Sequence, residues 1–379
     1  MIMIVKTSRF STFSASIPLS PEDKFRQIFD DIPFVRSSFG NHTNGEIVST
    51  DGLRKMFDFI KMHYGLQENS YFYDLGSGIG KPCIAAALLH NFKMCIGIEI
   101  TKDLYDISLA VLERDAFRCC RATMPSVSFI HASFLDHTLW MIDGDVIFMN
   151  STCFDRDLIE SVSTHAQCMK AGSFFITLTH SLNPSSGFEV IEELRLTMNW
   201  GDADWLLHRK KSLIFLDIDG VLVSKRCLCG DYDEADETLF LPSAHSGVIT
   251  PIEKQCIKNL KRIIDSCHSK ICISSTWRED ERMTAFLLEA LRDGGIDTSV
   301  VVIGSTDSLG SMRGGRGAEI TEFLKKNPAN DYIILDDDHA DSFARFELTH
   351  RFIKTDIDEG LSSMNVEEAL RLLLGEKSN

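Results

Sequence analysis

The sequence predicts an α/β protein made of two doubly wound domains, and three observations predict it. Short apolar runs with strand character alternate with helix-like stretches, a pattern that builds a mostly parallel sheet covered by helices. The alternation starts twice, at Tyr71–Leu75 and again at 213–217, and at each start an acid is followed by glycine. The chain has 379 residues, too many for one ordinary core and suited to two.

In the first series, strands are expected at 71–75, 94–99, 127–131, 146–150 and 174–179. In the second they are expected at 213–217, 271–274, 300–303 and 332–335. No repeat or low-complexity linker separates the two series. The boundary is placed at 210–212, where a basic turn over 208–211 precedes a new buried strand. The expected organisation is a leader over 1–40, a first domain over 41–211 and a second over 212–379.

Hydrophobic residues make up 44% and charged residues 25%, the balance of a globular chain. The net charge is −16. Residues 1–211 hold 20 basic against 25 acidic side chains (−5), and the rest hold 19 against 30 (−11). An acidic surface repels nucleic acid and anionic membrane. A nucleic-acid partner would need a local basic patch, and the sequence has no long Lys/Arg run to make one. No stretch is long and apolar enough to span a bilayer. The 11 cysteines are odd in number, and Cys83, Cys95 and Cys272 sit in apolar runs. That suits reduced thiols, hence cytoplasm or nucleus, better than a disulfide framework. Cys227 and Cys229 lack a second pair and read as loop thiols. The leader carries Lys6, Arg9 and several serines without an acid in its first twenty residues. A transit peptide has this composition, but a plain disordered or packed leader is the simpler reading.

The first chemical signal is the segment from Tyr71 to Lys81. A buried strand ends at Asp74, a turn with Gly76, Gly78 and Gly80 follows, and a helix opens at Pro82. Glycines let the backbone approach a cofactor and adopt positive φ. The spacing is G-x-G-x-G, not that of dinucleotide binders. Asp74 suits a cationic amino-acid and sulfonium ligand better than a pyrophosphate. Glu99 ends the next strand, where a carboxylate can accept from both ribose hydroxyls. Phe134 lies just after the third strand, where a side chain can meet an adenine edge. These features together point to S-adenosylmethionine.

The runs Gly45-Glu46-Ile47, Asp74 to Gly80, Ile98-Glu99 and Val146 to Phe154 resemble the disruptor-of-telomeric-silencing family, the non-SET histone-lysine methyltransferases, across about 40–180. The resemblance implies a Rossmann-like class I methyltransferase. In it Glu46, Asp74, Gly76, Glu99, Phe134 and Asn150 would line the cofactor and lysine channel. Where the family reads Asn-Asn-Phe-Ala-Phe, this chain reads Asn150-Ser-Thr-Cys-Phe154, and the family's basic nucleosome-binding extension is missing. Those departures weigh against the nucleosome as acceptor and leave a protein lysine. Methyl transfer needs alignment and a dry channel more than a strong base. Asn150 is the side chain expected to orient the amine, unless it only caps the loop after its strand. Cys153, a nucleophile in principle, is read as a half-buried structural thiol.

The second half is more specific. Its first strand ends in Asp217-Ile-Asp219-Gly220, with two carboxylates two residues apart pointing the same way. One can attack phosphorus while the other handles the proton, and two anions so close call for magnesium. Downstream, Ser274 ends a strand in hydroxyls, Arg316 opens a helix, and 336–341 is a cluster of acids after another apolar run. The order of these four strand-end motifs resembles the haloacid dehalogenase superfamily across about 212–375, in particular the phosphatase-like domains of RNA-repair proteins. The resemblance implies Asp217 as the nucleophile and Asp219 as acid and base. It implies Ser274 and Arg316 (with Arg313 as rival) holding the phosphoryl oxygens. Magnesium would be held by Asp217, the carbonyl of Asp219 and Asp337, with Asp341 in support. The acid-rich insert over 224–250 is too small for a full cap domain, which leaves an open site.

Three functions fit these readings. One is a protein-lysine methyltransferase joined to a phosphatase. Another is a nucleic-acid processing enzyme with end phosphatase and RNA methyltransferase activity, which the acidic charge disfavours. The third is a regulatory protein with one inactive domain.

Overall fold

The computed structural model describes residues 19–30, 32, 47, 49–198, 201–233, 235–241, 250–309, 315–327, 329 and 331–374. Among these, the strands form two large sheets. The first is built from β1 (Tyr71–Leu75), β2 (Met94–Glu99), β3 (Ser126–His131), β4 (Val146–Met149), β5 (Phe174–Leu178), β6 (Phe188–Met198) and β7 (Gly201–Lys210), in the order 3-2-1-4-5-7-6. β1 to β5 run parallel, and β7 lies antiparallel between β5 and β6. The central strands are buried on both faces, which is why they read as unbroken apolar runs rather than alternating ones. Helices Lys81–Leu89, Lys102–Leu112 and Arg156–Ala166 make the crossovers.

The second sheet follows at once. Its strands are β8 (Leu213–Leu216), β11 (Lys270–Ile273), β12 (Val302–Ser305), β13 (Tyr332–Asp336) and β14 (Phe352–Lys354), all parallel in the order 12-11-8-13-14. Between β8 and β11, the short strands β9 (Leu239–Phe240) and β10 (Ile252–Glu253) pair at the root of the insert. Helix Lys254–Cys267 buries Ile257, Leu260 and Ile264 along one side, the stripe expected of a surface helix.

In each sheet the first strand lies in the middle, and the chain winds first to one side of it and then to the other. The strand order therefore reverses between β1 and β4, and between β8 and β13. Open α/β sheets bind ligands in the crevice at the carboxyl ends of the strands at this reversal. Both expected acid-and-glycine turns, after β1 and after β8, sit there.

Two expectations need correcting. The third strand of the second series, expected at 300–303, runs Val302–Ser305. Residues Thr298–Val301 are helical instead, with Asp297 capping them by accepting from the Ser299 N–H at 3.1 Å. The expected basic turn over 208–211 is no turn through Lys210. His208, Arg209 and Lys210 end β7 and are buried. Each charged or polar head finds a partner there: His208 Nδ1 bonds the Phe175 carbonyl at 3.0 Å, and Arg209 lies over the Tyr64 ring at 4.7 Å.

Lys210 is the most constrained of the three. Its ammonium donates to the carbonyls of Ala166, Gln167 and Ser186 at 3.2, 3.0 and 2.8 Å, and lies 3.7 Å from Asp331, which immediately precedes β13 of the other sheet. Lys210→Met would leave three carbonyls without their donor and a half-buried carboxylate without its nearest cation. The expected cost is about 3–5 kcal/mol. Equilibrium denaturation checks it, and an unchanged midpoint would mean that water replaces the ammonium.

Candidate active sites

The turn after β1 is built by three glycines in the left-handed region, Gly76, Gly78 and Gly80, with φ of 81°, 54° and 89°. Space forces one of them as well and crowds another. A Cβ on Gly80 would stand 2.2 Å from the Phe129 ring, and one on Gly76 would stand 3.2 Å from that of Phe154. A Cβ on Gly78 would meet nothing within 4 Å, so there is open space beside this glycine. Gly80→Ala combines a strained φ with a clash against a packed ring. It is expected to destabilise by about 2–4 kcal/mol. Thermal unfolding measures this, and an unshifted midpoint would show that Phe129 yields.

Glu99, buried at the end of β2, organises the turn. Its Oε2 accepts from the Gly78 N–H at 2.8 Å and its Oε1 from the Thr101 N–H at 2.7 Å. Asp74 is also buried, and burial followed by the charge of Glu99 pushes its carboxyl well above the usual range. The Ser77 hydroxyl is buried without a hydrogen-bond partner among the described residues. Phe134, after β3, faces Phe154 at 5.9 Å between ring centroids, so the two rings wall the crevice beside Gly76. Asn150 follows β4, and its Oδ1 accepts from the Thr152 N–H at 3.4 Å, starting the short turn Ser151–Cys153. Ser151 and Thr152 tie that turn to the end of β5 through the Leu178 carbonyl and the Thr179 hydroxyl. Glu46 lies outside the described residues.

The crevice of the second sheet is more heavily charged. Asp217 leaves β8 buried, and its Oδ2 meets Arg316 Nη1 at 2.8 Å. The same nitrogen meets Asp336 Oδ2 at 2.6 Å. Asp217, Asp336 and Asp337 each offer an oxygen within 4.8 Å of the others, the one group of this kind among the described residues. Gly220, φ 70°, makes the close approach possible: a Cβ there would lie 2.3 Å from the Asp337 carboxyl. The carboxyls of Asp219, Asp336 and Asp337 are all pushed upward, by burial first and the charge of Asp217 second. Ser274 Oγ, at the end of β11, is fully buried without a hydrogen-bond partner among the described residues. Arg278 donates to the Ser274 and Ser275 carbonyls at 2.6 Å and to Glu319 at 2.8 Å, which fastens the Ser274 turn to the helix bearing Arg316.

Residues 36–194 match the family model described as the histone methylation protein DOT1. Residues 213–366 match that of the HAD domain in Swiss Army Knife RNA repair proteins. Among curated proteins, a histone-lysine N-methyltransferase, H3 lysine-79 specific, from Kluyveromyces lactis is 31% identical over 222 residues. The alignment covers 54% of this chain and 36% of that protein. A protein of the same name from Eremothecium gossypii is 27% identical over 180 residues, 46% of this chain and 29% of its own. The chain thus spans about a third of the length of the curated relatives it matches. A solved magnesium protoporphyrin IX methyltransferase from Synechocystis, with bound SAM, is similar at 11% identity and a TM-score of 0.35, over 50% of this chain and 90% of that one. The first sheet carries a Rossmann-like methyltransferase domain, and the second a haloacid dehalogenase-type domain.

In the haloacid dehalogenase-type domain the acid set differs from expectation. Asp341, expected to support the metal, starts the helix Asp341–Ala344 and is exposed, outside the group of three. The chain has already turned away by then: Asp338 accepts from Ser342 and braces the first turn of that helix. Asp336, the last residue of β13, stands in that group of three. Arg316, expected on phosphoryl oxygens, pairs with Asp217 and Asp336. Its rival Arg313 lies outside the described residues. In the methyltransferase domain Cys153, expected to be half-buried, is exposed.

Proposed function

We propose that this chain is a bifunctional enzyme: an S-adenosylmethionine-dependent methyltransferase acting on a protein lysine, joined to a magnesium-dependent phosphatase working through an aspartyl phosphate on Asp217. The observation that carries the phosphatase reading is Asp217 held by Arg316 opposite Asp336 and Asp337 at the reversal of a parallel sheet. The donor set is all oxygen and rich in charge, which suits magnesium. Asp217, Asp337, Asp336 and the Asp219 carbonyl would hold the ion, which when bound neutralises charge on the transferring phosphoryl group. Asp217 attacks phosphorus as the ester P–O bond breaks, and Asp219 gives its proton to the leaving oxygen. Asp219 then takes a proton from water as the new hydroxide attacks phosphorus. The bond to Asp217 breaks, and phosphate leaves. Ser274 Oγ, without a hydrogen-bond partner among the described residues, is suited to hold a phosphoryl oxygen, while Arg316 holds Asp217 and Asp336 beside it.

The methyltransferase reading rests on the turn at Gly78 and Glu99. Open space beside Gly78, a buried carboxylate and the Ser77 hydroxyl offer a polar ligand what it needs. S-adenosylmethionine, when bound, supplies an electrophilic methyl group. Phe134 and Phe154 would exclude water, and Asn150 would orient a neutral amine. The histone-lysine relatives support a protein acceptor, and a histone acceptor would set the work in the nucleus. The RNA-repair description of the second family supports another reading, a processing enzyme on RNA ends, which the charge of −11 over residues 212–379 opposes.

Radiolabel transfer from S-adenosylmethionine to nucleosomes, free histones, RNA and a protein extract tests the two readings. Label on a protein lysine is expected, and label on RNA would turn the conclusion to the processing enzyme. No label on any acceptor would reduce the first domain to ligand binding.

A further inference from the structure

Trp277 is the least expected neighbour of the acidic crevice. It is buried within the turn Thr276–Glu279, and its indole N–H is shared between both carboxylate oxygens of Asp219, at 3.2 Å each. Among the described residues it is the hydrogen-bond donor to that carboxylate. The nearby charges that act on Asp219 are two carboxylates, Asp217 and Asp337, and the Arg316 guanidinium, which is already committed to Asp217 and Asp336. Repulsion from the two acids would swing Asp219 outward. An indole donates without accepting and carries no charge, so it can fix a carboxyl without neutralising it. The turn that carries it is itself anchored: the Trp277 carbonyl accepts from Thr284 Oγ1 at 3.0 Å, and Arg278 next door is clamped to Glu319 in a buried ion pair.

We propose that Trp277 is a positioning residue for Asp219, and that the site it shapes is suited to phosphate monoesters of aliphatic alcohols. The inference rests on the phosphatase reading above. A held proton donor matters when the leaving group is a poor one, such as an alkoxide. It matters little for an activated phenolate, which departs without a proton.

The test uses the full-length protein with magnesium, and compares kcat/KM for β-glycerophosphate and 2,4-dinitrophenyl phosphate. Two variants are made: Trp277→Phe, and a benzothienylalanine at position 277, which exchanges the N–H for sulfur and keeps the ring shape. Both should lose about 30–100-fold on the alkyl ester and less than about 3-fold on the aryl ester, with KM unchanged. Equal losses on the two esters, or wild-type values on both in the benzothienylalanine protein, would overturn the assignment. If Trp277→Phe does not fold, the benzothienylalanine protein decides. Wild-type protein inert toward both esters would instead remove the phosphatase reading, and the proposal with it.

Discussion

Asp217→Asn is expected to lower magnesium-dependent phosphate ester hydrolysis by about 10⁴-fold or more, the scale on which loss of a nucleophile is felt. The amide keeps the shape of the carboxylate but cannot attack phosphorus, and it gives up an anionic metal ligand. The fold should survive. Arg316 Nη1 keeps its 2.6 Å contact with Asp336 when the 2.8 Å contact with position 217 loses its charge. Asp219, Asp336 and Asp337, each held up in part by the charge of Asp217, are freed from it. The variant should therefore lose activity without losing thermal stability, and its affinity for S-adenosylmethionine should stay at the wild-type value. Hydrolysis of an aryl phosphate at the wild-type rate would remove Asp217 as nucleophile.

Glu99→Ala is expected to weaken S-adenosylmethionine binding by about 10²-fold or more. The carboxylate would give the ribose hydroxyls charge-assisted hydrogen bonds worth about 1.5–3 kcal/mol each. It also receives the Gly78 and Thr101 amides, so its removal loosens the turn on which the cofactor would lie. Glu99→Gln separates the two contributions, because it keeps the side-chain reach and drops the charge. An intermediate loss in titration calorimetry would assign the remainder to charge. Normal binding by Glu99→Ala would move the ribose site elsewhere.

The parallel strands were readable because a strand buried on both faces must be apolar along its whole length. An acid at its carboxyl end then stands out, as Asp74, Glu99 and Asp217 do. The hairpin of β6 and β7 was not readable. β6 alternates between half-exposed faces, and β7 ends in three basic residues whose burial depends on distant partners: the Phe175 carbonyl, the Tyr64 ring, and carbonyls near residues 166 and 186. Sequence periodicity registers polarity and does not register who neutralises it. The same limit applies to the acids of 336–341. All look alike in sequence, and only the turn after β13 decides that Asp336 and Asp337 face the crevice while Asp341 faces solvent. Nothing in the sequence pairs Trp277 with Asp219 across 58 positions.

Lys210 belongs by chain position to the methyltransferase sheet, but the carboxylate nearest its ammonium, Asp331, borders the central strands of the other. Only two residues separate β7 from β8. Recombination that exchanged either module for a homologue would leave a buried lysine facing a stranger, or a half-buried aspartate with Arg351, at 3.9 Å, as its remaining cation. The two halves are therefore not interchangeable parts on a common string, and substitutions at 210 and 331 are expected to travel as a pair through the lineage of this protein.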